Sequence, residues 1–235
     1  KRTSLVIDPP DGRVPAPSES AVARYVKSRD VWARSPEGPE DRNPFDRCIK
    51  GFNAGPPMTS GAYNNIMQIV ESEDFVAMQV EMVNDHRIIP TTSRDQLPEH
   101  MRFWKGDSRG EWDGDTFVVT TTNFNEHQMF RLTGPNMTLT ERFTRLDTDT
   151  LEYQFTVDDS DTYDVGVRKS CRHKSSPGPH LFFVTIESHT QNSHHYLPKE
   201  SEPRTIVSQI QHRLLNFPIE FFYAKKQHHN SCLYI

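Results

Sequence analysis

The sequence predicts an all-β protein, an antiparallel meander closed into a lipocalin-like (calycin-type) barrel, with a two-sheet β-sandwich as the alternative. Three observations carry this reading. Alternating apolar and polar residues recur between residues 63 and 158, and successive side chains of a strand point to opposite faces. Short turn-forming stretches separate the runs, clearest at Asp113-Gly114, where glycine tolerates the positive φ of a tight hairpin. Nothing between the runs offers the long crossover helix that parallel strands require. Closure is the usual way for such a meander to remove its exposed edges.

The elements follow in chain order. Leu5 to Ile7 is a short apolar run that reads as an edge strand, and the prolines behind it forbid a helix. Residues 19–34 place Ala21, Val22, Tyr25, Val26 and Val31 near helical spacing, with Ser18 or Ser20 as the cap. Residues 35–61 hold five prolines and four glycines; a loop this long is functional or unordered. The run 63–72 alternates, and so does 74–90, which reads as one strand ended by Pro90. In it Val76, Met78, Val80 and Met82 share a face, and Ala77, Gln79, Glu81 and Val83 share the other. A connector follows, with a helical turn at Glu99–Trp104. Then come the hairpin 110–124 and a second hairpin that turns at Asp147–Thr150.

Beyond residue 165 the alternation fails. The organisation expected is therefore 1–62 as extended segment, short helix and loop; 63–165 as the β core; and 166–235 as an atypical segment. That last segment has one strand-like run at 181–186 and a helix at 205–216. Eight of the eleven histidines lie beyond residue 170, without the acidic partners and spacing of a metal site.

Composition narrows the function classes. With 34% hydrophobic residues the chain supports a core, and a mean hydropathy of −0.73 places part of it outside that core. A net charge of −5 leaves no basic footprint for nucleic acid. No stretch is apolar over the ~18 residues that a membrane span requires. Cys48, Cys171 and Cys232 are odd in number and far apart, and read as separate reduced thiols. Cys48 lacks a local partner base for nucleophilic work. No phosphate-cradling glycine loop or nucleophile elbow occurs, and no cofactor is expected. Asn136-Met-Thr is an acceptor sequon, relevant only on a secreted route.

Six ordered motifs carry a resemblance: SLVIDPPDGRVP, EDRNPFDRCI, YNNIMQIVES, EMVNDHRIIP, GDSRGEWDGDTFVVTTTNF and ERFTRLDTDTLEYQFTVDD. Together, from Ser4 to Asp159, they resemble a widespread family of mostly uncharacterised bacterial proteins. The chain is also similar to small proteins of fungal polyketide clusters, one of them implicated in α-pyrone closure in aurovertin-type pathways. The resemblance implies a polyketide-like, conjugated carbonyl substrate and supplies no catalytic residues. Bacterial members continue with aromatic-rich strands, and this chain departs from them after the last motif. A biosynthetic cyclase would be cytoplasmic, whereas many bacterial relatives are secreted or periplasmic.

Candidate site residues come from face assignments. Glu141 lies on the apolar face of Met137, Leu139 and Phe143, where a carboxylate is costly unless paired or protonated. Glu81 would line the lumen if its mixed face points inward. Either glutamate is a proton-transfer group, or both are tied to arginines such as Arg87, Arg142 or Arg145. In the NDHR cluster, Asp85 and Arg87 share a face, and His86 is a rim histidine or a base. The catalytic candidates are Glu81, Glu141 and Arg87. The substrate-binding candidates are Tyr63, Asn65, Gln79, Trp104, Asn123, Arg142 and Tyr153. The function expected is a cofactor-independent cyclase or lyase working by acid/base catalysis in the cavity. The alternative is an inert carrier of a hydrophobic small molecule, and a third reading is a secreted structural protein. The partner in the first two cases is an apolar small molecule, and a homodimer is compatible with either.

Overall fold

The computed structural model describes residues 5–59, 63–127, 130–148, 150–163, 167–176 and 182–185. The chain divides into two units, Lys1–Ser188 and His189–Ile235. All described residues belong to the first unit, so the helix expected at 205–216 lies outside them.

Ten strands and one α-helix are present among the described residues: β1 (Val6–Asp8), α1 (Glu19–Ala33), β2 (Ile66–Glu71), β3 (Phe75–Val80), β4 (Asp85–Pro90), β5 (Asp107–Asp113), β6 (Thr116–Thr122), β7 (Thr138–Arg145), β8 (Thr150–Asp158), β9 (Val167–Ser176) and β10 (Phe182–Thr185). Hydrogen bonding orders them β4-β3-β2-β10-β9-β8-β7-β6-β5, with β1 added to β9. All pairings between these strands are antiparallel.

The all-β, antiparallel expectation holds. A closed barrel is not found, because the terminal strands β4 and β5 do not pair. The two wings of the path nevertheless face each other across the core. Arg87 on β4 reaches Glu141 on β7, although five strands intervene along the hydrogen-bonded path. The sandwich alternative fits this arrangement: a sheet rolled so that its wings stack, left open at the β4–β5 seam. Side chains fasten that seam instead of a ladder. Lys105 donates to the Asp85 carboxylate and, at 2.8 Å, to the His86 carbonyl. Gly110 on β5 allows a close approach there, since a Cβ would lie 2.4 Å from Phe117 and 3.0 Å from Ile89.

Alternation decides which residues are inside. Met67 of β2, Val76, Met78 and Val80 of β3, and Ile89 of β4 are buried on one wing. Phe117 and Val119 of β6, Leu139 and Phe143 of β7, and Tyr153, Phe155 and Val157 of β8 are buried on the other. Phe143, Tyr153 and Phe155 stack in series, with ring centroids 4.9 and 5.7 Å apart.

Three local expectations change. The run 74–90 is two strands, because Val83 and Asn84 take positive φ (both 52°) and turn the chain back on itself. Residues Glu99–Trp104 form turns, the first closed by Met101 N–H donating to the Pro98 carbonyl at 2.9 Å. The first hairpin loop is Gly114–Asp115, since Asp113 pairs with Thr116. Gly114 has φ 59° at the first loop position, where type II′ turns take glycine.

β9 escapes the alternation test because VRKSCRHKSS has no apolar face. It is fixed by backbone pairing with β8 on one edge and with β1 and β10 on the other. The strand-like run expected at 181–186 is β10. Helix α1 begins where Ser18 accepts from the Ala21 N–H at 3.2 Å. The Ser18 hydroxyl also donates to the Asp161 carbonyl at 2.7 Å, which ties the helix to the end of the β8 chain.

Candidate functional site

The loop expected to be functional or unordered is a plug. Gly51 and residues 53–58 are buried, and the Met58 N–H donates to the Tyr153 hydroxyl at 3.0 Å. Small residues make this possible: at Gly51 a Cβ would lie 2.3 Å from Met82. Asn53 is fully buried and donates to the Tyr63 and Asn64 carbonyls and to the Asn65 side chain. The plug is thereby locked to the start of β2. Cys48 is disulfide-bonded, which corrects the reading of separate reduced thiols and removes Cys48 as a nucleophile.

Beneath the plug lies a buried polar network. Glu141 is fully buried, and its carboxylate accepts from both terminal nitrogens of Arg87 at 2.6 and 3.2 Å. It also accepts from the Tyr153 hydroxyl at 2.7 Å. Arg87 is 11% exposed and also contacts the Met78 sulfur at 3.5 Å. Burial pushes the Tyr153 phenol well above its ordinary pKa, and the neighbouring Glu141 charge adds to the shift. A bidentate Arg–carboxylate pair with a third donor is strong and geometrically specific. It also leaves this carboxylate no oxygen without a donor. Arg87 and Glu141 thus pair as one sequence reading allowed, whereas Asp85 turns to Lys105 and not to Arg87.

Lys50, at the start of the plug, is the residue the sequence reading missed. Its amine donates to the Pro56 carbonyl at 3.3 Å. Burial, reinforced by the charges of Arg87 and Lys105, lowers its pKa from 10.5 to about 7; Glu141 opposes the shift. Burial lowers the pKa of Lys105 as well. The available signal was the setting of the lysine in IKGFNAGPP, a run of apolar and small residues. Such a run has little polar surface to keep an ammonium solvated.

Lys50 lines a cleft of about 510 Å³ between the plug, α1 and the side chains of Trp104, His127 and Phe130. Tyr25, Phe45, Phe52, Trp104 and Phe130 form its aromatic walls. Arg29 brings positive charge, and no carboxylate is among the described lining residues. Arg47 stacks on Trp104 at 5.7 Å from the ring centroid, and His127 packs against the same indole at 6.3 Å. Behind the plug, a gap of about 10 Å³ is lined by Asp85, His86, Arg87 and Lys105. A second cavity, of about 800 Å³, opens at the opposite end of the roll, lined by Ile69, Val76, Met78, Trp112, Phe117 and Phe143 among others.

Of the residues singled out from the sequence, Glu141, Arg87 and Tyr153 converge on one network, and Trp104 walls the cleft. The others lie apart from them. Glu81 is exposed, because the face carrying Val76, Met78 and Val80 is the buried one and β3 ends at Val80. Gln79 is on the same outer face and donates to Asn84 at 2.5 Å. His86 is exposed. Tyr63 is 57% exposed and meets Phe52 edge-on at 5.9 Å. Asn65 is occupied with Asn53. Asn123 is buried and donates to the Leu97, Pro98 and Met101 carbonyls, which holds the connector in place. Arg142 pairs with Asp113 on the surface at 2.8 Å.

Among the described residues no helix is long and apolar enough to cross a membrane. The chain matches no protein-family model, no curated protein and no solved structure.

Proposed function

We propose that the protein is a cofactor-independent cyclase or lyase that moves protons on a conjugated carbonyl substrate bound in the aromatic cleft. One observation carries the reading: an amine with a pKa of about 7 lines a cleft with aromatic walls. A base that titrates near the working pH is the most effective proton carrier. Aromatic walls suit a flat conjugated skeleton. The positive lining favours a carboxylate or an enolate over a neutral or cationic ligand. This substrate class agrees with the resemblance to proteins of polyketide clusters.

In this scheme Lys50 takes a proton from the substrate. The Arg87–Glu141–Tyr153 network acts on Lys50 electrostatically and is not itself the base. Ring closure would bring an enol oxygen onto the acyl carbon and expel the acyl leaving group. Orienting both ends of one molecule in this way is worth roughly 7–11 kcal/mol of barrier in favourable systems.

The test is turnover of a conjugated δ-keto ester, followed by loss of its absorbance and by product mass. Lys50→Met is expected to bind the substrate and lose turnover. Unchanged turnover in that variant refutes the reading.

The second reading, an inert carrier, is favoured by the cavity of about 800 Å³ at the other end of the roll, where Trp112 is 54% exposed at the mouth. A carrier would bind an apolar ligand there, quench Trp112 and show no Lys50-dependent turnover.

A further inference from the structure

Lys50 combines three features that proton transfer alone does not require. Its amine has one hydrogen bond among the described residues, to the Pro56 carbonyl. Among the described residues it is in no ion pair, although Arg87 and Lys105 each hold a carboxylate nearby. It also faces a space large enough for a small conjugated molecule, walled on several sides by aromatic rings. An unpaired, desolvated amine at the wall of such a space is a nucleophile as well as a base.

We propose that Lys50 captures the substrate covalently, as a Schiff base with a conjugated aldehyde or ketone. This deepens the reading above and rests on the same cleft. In the first step the Nζ lone pair attacks the carbonyl carbon, the C=O π pair moves to oxygen, and a proton passes from nitrogen to that oxygen. The carbinolamine then loses its hydroxyl with a second N–H proton, as water, and the C=N bond forms. Amine and carbonyl become imine and water, with no oxidant or reductant. Protonation of the imine makes it an electron sink for carbanion chemistry at the adjacent or vinylogous carbon. A conjugated chain lying against Trp104 and Phe52 would be activated along its length.

The neutral amine decides the selectivity. At pH 7 about half of Lys50 is neutral, given its pKa of about 7. An ordinary lysine at ~10.4 is neutral in only ~4 parts in 10,000. The free-amine fraction therefore favours Lys50 over each surface lysine by about 1,000-fold.

The experiment treats the full chain with cinnamaldehyde and cyanoborohydride at pH 7 and locates adducts by peptide mapping. A parallel arm titrates cinnamate, which has the same skeleton but cannot form an imine, by fluorescence of Trp104. The expected result is a single adduct on Lys50 that needs the reductant and is blocked by cinnamate. Lys50→Arg should lose the adduct. Cinnamate binding without a Lys50 adduct overturns the covalent step and leaves the cleft reading standing. Absence of both overturns the two together. Adducts spread evenly over the lysines, or an adduct formed without reductant by conjugate addition, also overturn the proposal. Should Lys50→Arg fail to fold, as shown by its melting curve, adduct location and cinnamate protection in the unaltered protein decide.

Discussion

Arg87→Met should be among the most damaging single substitutions in this protein. Glu141 is 0% exposed in the fold, and Arg87 supplies two of its three donors. Removing the guanidinium leaves a buried carboxylate with only the Tyr153 hydroxyl. Breaking a buried pair from one side costs about 3–5 kcal/mol. Methionine approximates the aliphatic stem of arginine, so the loss reads out charge and hydrogen bonding more than volume. The double variant Arg87→Met with Glu141→Leu removes both charges, and replacing such a pair by apolar residues is often neutral, or stabilising by about 1–4 kcal/mol. The assay is urea denaturation of the four members of this cycle, with the m-value checked for constancy. The reasoning predicts a large loss for Arg87→Met and recovery of most of it in the double variant. A loss below about 1 kcal/mol for Arg87→Met would show that the pair is solvated. Equal losses in the single and double variants would show that packing, not charge, governs the site.

Three further predictions concern titration and the plug. The Tyr153 phenol, raised by burial, should stay protonated at pH values where exposed tyrosines ionise, visible as a missing step in absorbance at alkaline pH. Because its folded pKa lies above the unfolded value of 10.0, its contribution to stability is full below pH 10 and is lost as pH rises through the folded pKa. Tyr153→Phe also deprives Glu141 and the Met58 N–H of a partner and should cost about 1–3 kcal/mol. Lys50 has the opposite sign. Its folded pKa of about 7 lies below the unfolded 10.5, so the unfolded chain binds more protons between these values. Stability attributable to Lys50 should therefore rise from about pH 7 to pH 10.5. Lys50→Met, compared with the parent by thermal melting across that range, should flatten this rise; an unchanged slope refutes the assignment.

The strands were legible in the sequence wherever one of their faces is buried, since burying one face of a strand imposes a period of two. Leu139, Glu141 and Phe143 on β7, and Tyr153, Phe155 and Val157 on β8, could be placed on one face from their spacing. The same logic marked Glu141 as an anomaly, because a carboxylate among apolar neighbours needs a partner. It failed for β9, whose polar sequence carries no face and whose place is set by backbone pairing alone. It also failed for Glu81, because alternation says that two faces exist without saying which one is inside.

What the tertiary structure alone decided is who meets whom across the roll. Arg87 and Glu141 are 54 residues apart, and the amine of Lys50 is made unusual by burial first and then by the charges of Arg87 on β4 and Lys105 in the connector before β5. A pKa depends on the charges and solvent within a few ångströms, and those arrive from distant parts of the chain. The same holds for the open seam: whether β4 pairs with β5 depends on sheet curvature summed over the whole path, a quantity no local pattern encodes. The sequence by itself determined the alternating faces of strands such as β7 and β8 and the cost of burying Glu141. Folding determined its partner, the plug above it and the state of the lysine beside it.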